Sequence, residues 1–187
     1  MNKIVALTVT SVALASAAFA TGSKAKSTNE WLQGKWSIRA FYGFNSGDVK
    51  SDLDIDGIYG AGLEYTLPNM GGGEYAGKFH VGAEWNTSTN GTADVKMDNY
   101  GFYVGTTFPL GQASGMNALS ALLNAGYYNT KIHGDGGSDD RWGFGFDAGI
   151  RYSFGKVSAE LFYRMRPEVD SISNNAIVIG INFPLGN

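Results

Sequence analysis

One stretch constrains this chain more than any other, residues 142–154, Trp-Gly-Phe-Gly-Phe-Asp-Ala-Gly-Ile-Arg-Tyr-Ser-Phe. Its even positions are Trp142, Phe144, Phe146, Ala148, Ile150, Tyr152 and Phe154. Its odd positions are Gly143, Gly145, Asp147, Gly149, Arg151 and Ser153. A strand turns successive side chains to opposite faces. One face of this stretch is therefore wholly apolar, and the other holds glycine and opposite charges. A half-buried strand of a soluble sandwich needs fewer apolar positions. The pattern fits a strand with lipid on one side and a polar barrel interior on the other.

The pattern recurs along the chain. Segments at 35–44, 58–67, 75–85, 99–108, 119–129, 157–166 and 176–185 alternate in the same way. With 142–154 they make eight strands of about ten residues, the length a tilted strand needs to cross a bilayer. Lipid cannot satisfy an open sheet edge, so such a set must close. The expected fold is all-β, an eight-stranded antiparallel up-and-down transmembrane barrel spanning 35–187. Polar connections at 45–56, 86–98, 130–141 and 167–175 alternate with connections at 68–74, 109–118 and 155–156. The first set is expected outside the cell and the second on the periplasmic side. The even strands end Tyr65-Thr-Leu-Pro, Thr107-Phe-Pro-Leu-Gly, Tyr152-Ser-Phe-Gly and Asn182-Phe-Pro-Leu-Gly. Each places an aromatic just before a residue that breaks the ladder.

The N-terminus reads as an export signal. A short start with Lys3 precedes an apolar run, and Ala18-Phe19-Ala20 forms a small-x-small cleavage site. The expected organisation is a cleaved signal peptide at 1–20, a polar lead-in at 21–34 and the barrel from 35. The chain contains no cysteine, which excludes disulfides and thiolate metal sites. Its net charge is −3 with no basic patch, which argues against nucleic acid as a partner.

The inward faces collect Arg39, Lys78, Arg151, Arg164 and Arg166 with Glu64, Glu84, Asp147 and Glu160. Lys35 and His80 share that face, and Phe41, Tyr103, Asn124, Tyr128 and Phe162 add bulk. An eight-stranded interior is only wide enough to be filled by side chains. The expectation is a plugged lumen with an ion-pair network in which Asp147 and Arg151 compensate one another. A narrow charged channel is the alternative.

Two further groups invite a chemical reading. His133, Ser138 and Asp135 supply the residue types of a hydrolytic triad in a Gly-rich segment. A flexible loop is a poor platform for one, so a non-enzymatic role is expected. Asp52, Asp54 and Asp56 form an acidic run that could bridge divalent cations, though the spacing lacks the glycine and final Glu of the EF-hand loop. A solvated acidic loop is the simpler reading, and no metal or other cofactor is expected.

The signal sequence, the eight alternating strands and their breaker-terminated ends resemble the small eight-stranded outer-membrane barrels, the OmpA/OmpX/Ail-type superfamily. The resemblance covers the mature chain and rests on architecture. It departs at the end, where Phe183 is followed by Pro-Leu-Gly-Asn and not by a terminal aromatic. The resemblance implies a porin-like fold in the bacterial outer membrane. Its implied partners are outer-membrane lipid and lipopolysaccharide, the outer-membrane assembly machinery, and surface ligands met through four outer loops. The implied role is envelope integrity or surface interaction. A small-solute channel is the second reading and a lipid A acyltransferase or deacylase the third.

Overall fold

A computed structural model describes residues 35–68, 77–88, 95–110, 117–134 and 136–185. The expected signal peptide and lead-in lie outside the described residues. Eight strands form one closed antiparallel barrel in chain order. They are β1 (Lys35–Ser46), β2 (Gly57–Thr66), β3 (Lys78–Ser88), β4 (Lys96–Pro109), β5 (Asn117–Gly134), β6 (Gly137–Phe154), β7 (Val157–Val169) and β8 (Ile172–Leu185). One short helix, α1 (Asp48–Leu53), lies between β1 and β2. β1 closes the barrel by pairing with β8, from Trp36↔Leu185 to Ser46↔Asn175. The end at which β1 begins is called lower below, and the opposite end upper.

The alternation sets every strand's facing. Trp36, Tyr59, Trp85, Phe102, Leu123, Phe146, Leu161 and Ile179, one from each strand, all stand exposed on the outer wall. An apolar belt of this extent needs lipid against it. Tyr100, Tyr127 and Trp142 cluster toward its upper margin, where Tyr127 and Trp142 stack at 5.5 Å. Aromatic rings of this kind suit the headgroup level.

The inner wall alternates bulk with glycine. At Gly105 a Cβ would collide with the His80 ring and the Asn124 carboxamide, and at Gly149 with Phe162. Glycine at these two positions lets the large inward side chains of neighbouring strands cross the lumen.

The strands outrun the lengths expected from the periodicity, chiefly at the upper end. Within the segment 130–141, expected as a loop, residues 130–134 and 137–141 continue the β5–β6 ladder to Gly134↔Gly137. The segment 167–175 is a second hairpin that turns at Asp170 and Ser171, both at positive φ. Two such residues make the tight turn whose twist matches a β-ribbon. Segment 45–56 is not a free acidic loop. It folds α1 over the upper mouth and buries Val49 and Ile55 completely. The hydrophobic residues in these segments drive the extension, because burying them inside the mouth removes them from water.

Candidate functional site

The interior carries two layers of different chemistry. The lower one is ionic. Register places Arg151 opposite Glu160, and Asp147 opposite Arg164, across β6 and β7. Glu64, His80 and Glu84 face them from β2 and β3, and Arg39 from β1.

Arg151 grips Glu64 with two nitrogens, at 3.0 and 2.9 Å, and donates from Nε to Glu160 at 2.7 Å. Such a forked contact is among the stronger ion pairs a protein makes. Tyr103 donates its hydroxyl to Glu64, and Asn182 adds its carboxamide. Higher in the barrel, Arg166 donates to Asp147 at 2.8 Å and to Glu84 at 2.6 Å. Arg164 binds the same two carboxylates, at 3.2 and 2.9 Å. Arg39 joins the two groups. Its Nε lies 2.6 Å from Glu160, and its Nη1 is 3.5 Å from Glu84.

Four arginines thus face four carboxylates, and the formal charges cancel. A buried charge is tolerable only when paired in this way. Aromatic rings cover the guanidinium faces, with Phe162 4.5 Å from Arg39, Phe41 4.4 Å from Arg164 and Tyr128 3.8 Å from Arg166. His80 donates from Nε2 to Asn124 Oδ1 at 2.8 Å, which fixes its ring beside the ionic layer. No carboxylate in the cluster is left free to act as a base.

The structure corrects three details of the sequence reading here. Lys78 does not join the network. It opens β3 at the lower rim and, like Lys35, is exposed. A long flexible ammonium at a strand end reaches water more cheaply than it pairs inside. Asp147 and Arg151 are not partners, because each bonds across strands. Four residues apart on one strand, with Gly149 between them, they stand roughly 13 Å from each other, whereas cross-strand partners meet directly.

The upper layer is neutral. Asn99 accepts from Thr130 at 2.6 Å and from Asn174 at 2.8 Å, and donates to Asn86 at 2.9 Å. The Asn174 bond runs from β8 to β4 and so bridges the lumen. An apolar cap of Val49, Ile55, Ile58, Met97 and Val178, all fully buried or nearly so, sits with this layer toward the mouth. The helix α1 is latched to β8 by a reciprocal pair. The Asp48 amide donates to Ser173 Oγ at 3.3 Å, and the Ser173 amide donates to the Asp48 carboxylate at 3.1 Å. Asp48 lies outside the membrane-spanning strands, and the Ser173 backbone N–H holds its carboxyl below the usual aspartate range.

Of these upper residues, Asn99, Ile58 and Val178 lie in segments expected as strands, whereas Val49, Ile55, Asn86, Met97, Thr130 and Asn174 escaped the sequence reading because they fell in segments assigned to loops. One signal could have found them. Asn86 continues the inward parity of Glu84, Thr130 that of Tyr128, and Asn174 that of Ala176 and Val178.

The remaining candidates are not assembled as the sequence suggested. Asp135 lies outside the described residues. His133 is paired through Nε2 with Asp98 at 3.2 Å, and Ser138 faces it across the β5–β6 hairpin. His133 belongs to a regular ladder, not to a flexible loop. Asp56 pairs with Lys50 at 3.3 Å, Asp52 accepts from Ser51, and Asp54 ends α1 in the left-handed region. Among the described residues no three metal-capable side chains converge.

The sequence matches the outer membrane protein beta-barrel domain family over residues 6–183. No curated protein matches it in sequence. Among solved structures, it is similar to the N-terminal β-barrel domain of Pseudomonas aeruginosa OprF. The TM-score is 0.58 at 16% identity, covering 82% of this chain and 100% of that one. Neisserial surface protein A gives 0.50 at 11% identity, covering 80% of this chain and 96% of that one. Ail of Yersinia pestis gives 0.48 at 16% identity, covering 81% and 99%. Likeness at such identity speaks to the fold alone.

Proposed function

The chain belongs to the outer membrane protein β-barrel family, and from that premise we propose that it acts as a plugged barrel. Its lumen is filled, and its work is done at the cell surface, in envelope integrity or contact through the upper connections. The observation that carries this reading is the charge-balanced ionic layer crossed by Arg39, with the Asn99 bridge and the α1 cap above it. A steady ion path would have to break pairs that cost several kcal/mol each to separate. In this reading residues 1–20 are the cleaved export signal, 21–34 the periplasmic lead-in, and the upper end faces outward. The outer wall meets lipid and lipopolysaccharide, and insertion uses the outer-membrane assembly machinery.

The test is planar-bilayer conductance of refolded protein whose folding is checked by heat-dependent gel mobility. Folded protein is expected to carry no steady current. Stable unitary currents would overturn the plugged reading and turn Arg39, Arg151, Arg164, Glu64 and Glu160 into selectivity residues of a small-solute channel.

A further inference from the structure

The upper rim has a step in it. β7 pairs with β6 only from Phe146↔Met165 down to Phe154↔Val157. Above that level β6 continues to Gly137, paired with β5 on one side and, among the described residues, with no strand on the other. Two features stop the ladder. Pro167 has no N–H to offer and packs against Gly143, where an added Cβ would lie 3.0 Å from the Pro167 ring. A register shift between Arg166 and Val169 then carries β7 into its tight turn at Asp170 and Ser171. Residues 137–142 therefore form a free strand edge, and all six are exposed. They begin at Trp142, level with the aromatic margin of the lipid belt, and rise away from it for roughly 16 Å at strand spacing.

Roughly half of the N–H and C=O groups on such an edge point to the open side. Proteins blunt edges like this with charge, and the charge here has a sign. Asp139 and Asp140 lie on the edge, and Glu168 and Asp170 stand exposed on the shorter β7–β8 hairpin beside it. Arg141 on the edge and Lys131 on β5 behind it are the cations. The balance is acidic. It repels an acidic strand and attracts a basic one, so it selects as well as guards.

We propose that the edge at 137–142 receives an extended basic segment of a partner protein as an added β-strand. The unpaired backbone supplies the affinity, and Asp139, Asp140, Glu168 and Asp170 supply the sign of the partner. This rests on the reading of the upper end as the outer surface, and that reading has its own check. The chain is free of cysteine, and Gly136 has open space around it. Gly136→Cys on intact cells should react with a membrane-impermeant maleimide. No labelling would overturn the topology and the docking edge together.

The docking itself is tested on full-length protein in nanodiscs with three ten-residue peptides. One alternates Lys and Val, one carries Pro at alternate positions of that sequence, and one replaces Lys with Glu. The Lys-Val peptide should bind and slow hydrogen exchange within 137–142. The Pro peptide should bind at least about tenfold more weakly and give no protection, since it cannot complete a ladder. The Glu peptide should not bind. Asp139→Asn with Asp140→Asn should weaken the Lys-Val peptide roughly tenfold. Equal binding of the Lys-Val and Pro peptides, or binding without protection of 137–142, would reduce the edge to a diffuse acidic surface and sink the proposal. No binding by the Lys-Val peptide would sink it as well, and with Gly136→Cys labelled the outward topology would survive alone.

Discussion

The two layers of the barrel interior solve one problem in opposite ways. The lower layer fills its space with four arginines and four acids, each held by several partners. The upper layer uses carboxamides, a hydroxyl and an apolar cap. The ionic layer is intolerant of single changes, because removing one member strands a charge in a low-dielectric space. Removing a member of the neutral layer leaves at most an unpaired dipole or a cavity, not a charge. Mutational cost should therefore fall from the lower layer to the upper, and rescue by a second mutation should be confined to the lower.

The largest effect is expected at Arg164. Arg164→Ala should cost about 3–5 kcal/mol in urea unfolding of the refolded barrel, because Asp147 and Glu84 lose a shared partner. Adding Asp147→Leu should restore a substantial part. Additive losses would mean that the layer is a set of independent bonds. Ile55→Ala, in the cap, should cost about 2–5 kcal/mol by leaving a cavity, with the same unfolding assay as readout. No polar second mutation should repair it. Asn99→Leu should cost about 1–3 kcal/mol by orphaning Thr130 and Asn174. A cost equal to that of Arg164→Ala would erase the contrast between the layers.

The smallest effect concerns the latch. Because the docked carboxyl of Asp48 has a lowered pKa, docking is favoured above the ordinary aspartate range. That advantage disappears as pH falls through the lowered value. The Ser173 amide resonance should titrate at lower pH than a free aspartate, and Asp48→Asn should abolish the titration. A Ser173 shift that follows the ordinary aspartate curve would mean that the latch does not form in solution.

The same contrast explains what could be read from sequence. The ionic layer was legible because its members sit on strands whose apolar faces fix the parity. Once Phe146 and Ile150 point outward, Asp147 and Arg151 must point in. Which acid meets which arginine was not legible, since that depends on register between strands, and parity is silent about register. The upper layer was harder still. Val49, Ile55, Met97 and Asn174 lie among glycines, aspartates and asparagines that read as turns, and only the closed wall around them gives them something to pack against. The free edge of β6 needed both parts. The long hairpin continues a visible alternation, but the step beside it depends on where β7 turns back.

The seam between β1 and β8 has a consequence for biogenesis. Its eleven residue pairs join the first strand to the last, so no native closing contact can form until the final strand has been made and delivered. Contacts between residues so distant along the chain are slow to find one another. Until they do, two unsealed strand borders must be shielded from lipid and from other chains. The waiting time of an unfinished wall, more than the strength of the finished one, then sets how long this protein depends on its escorts.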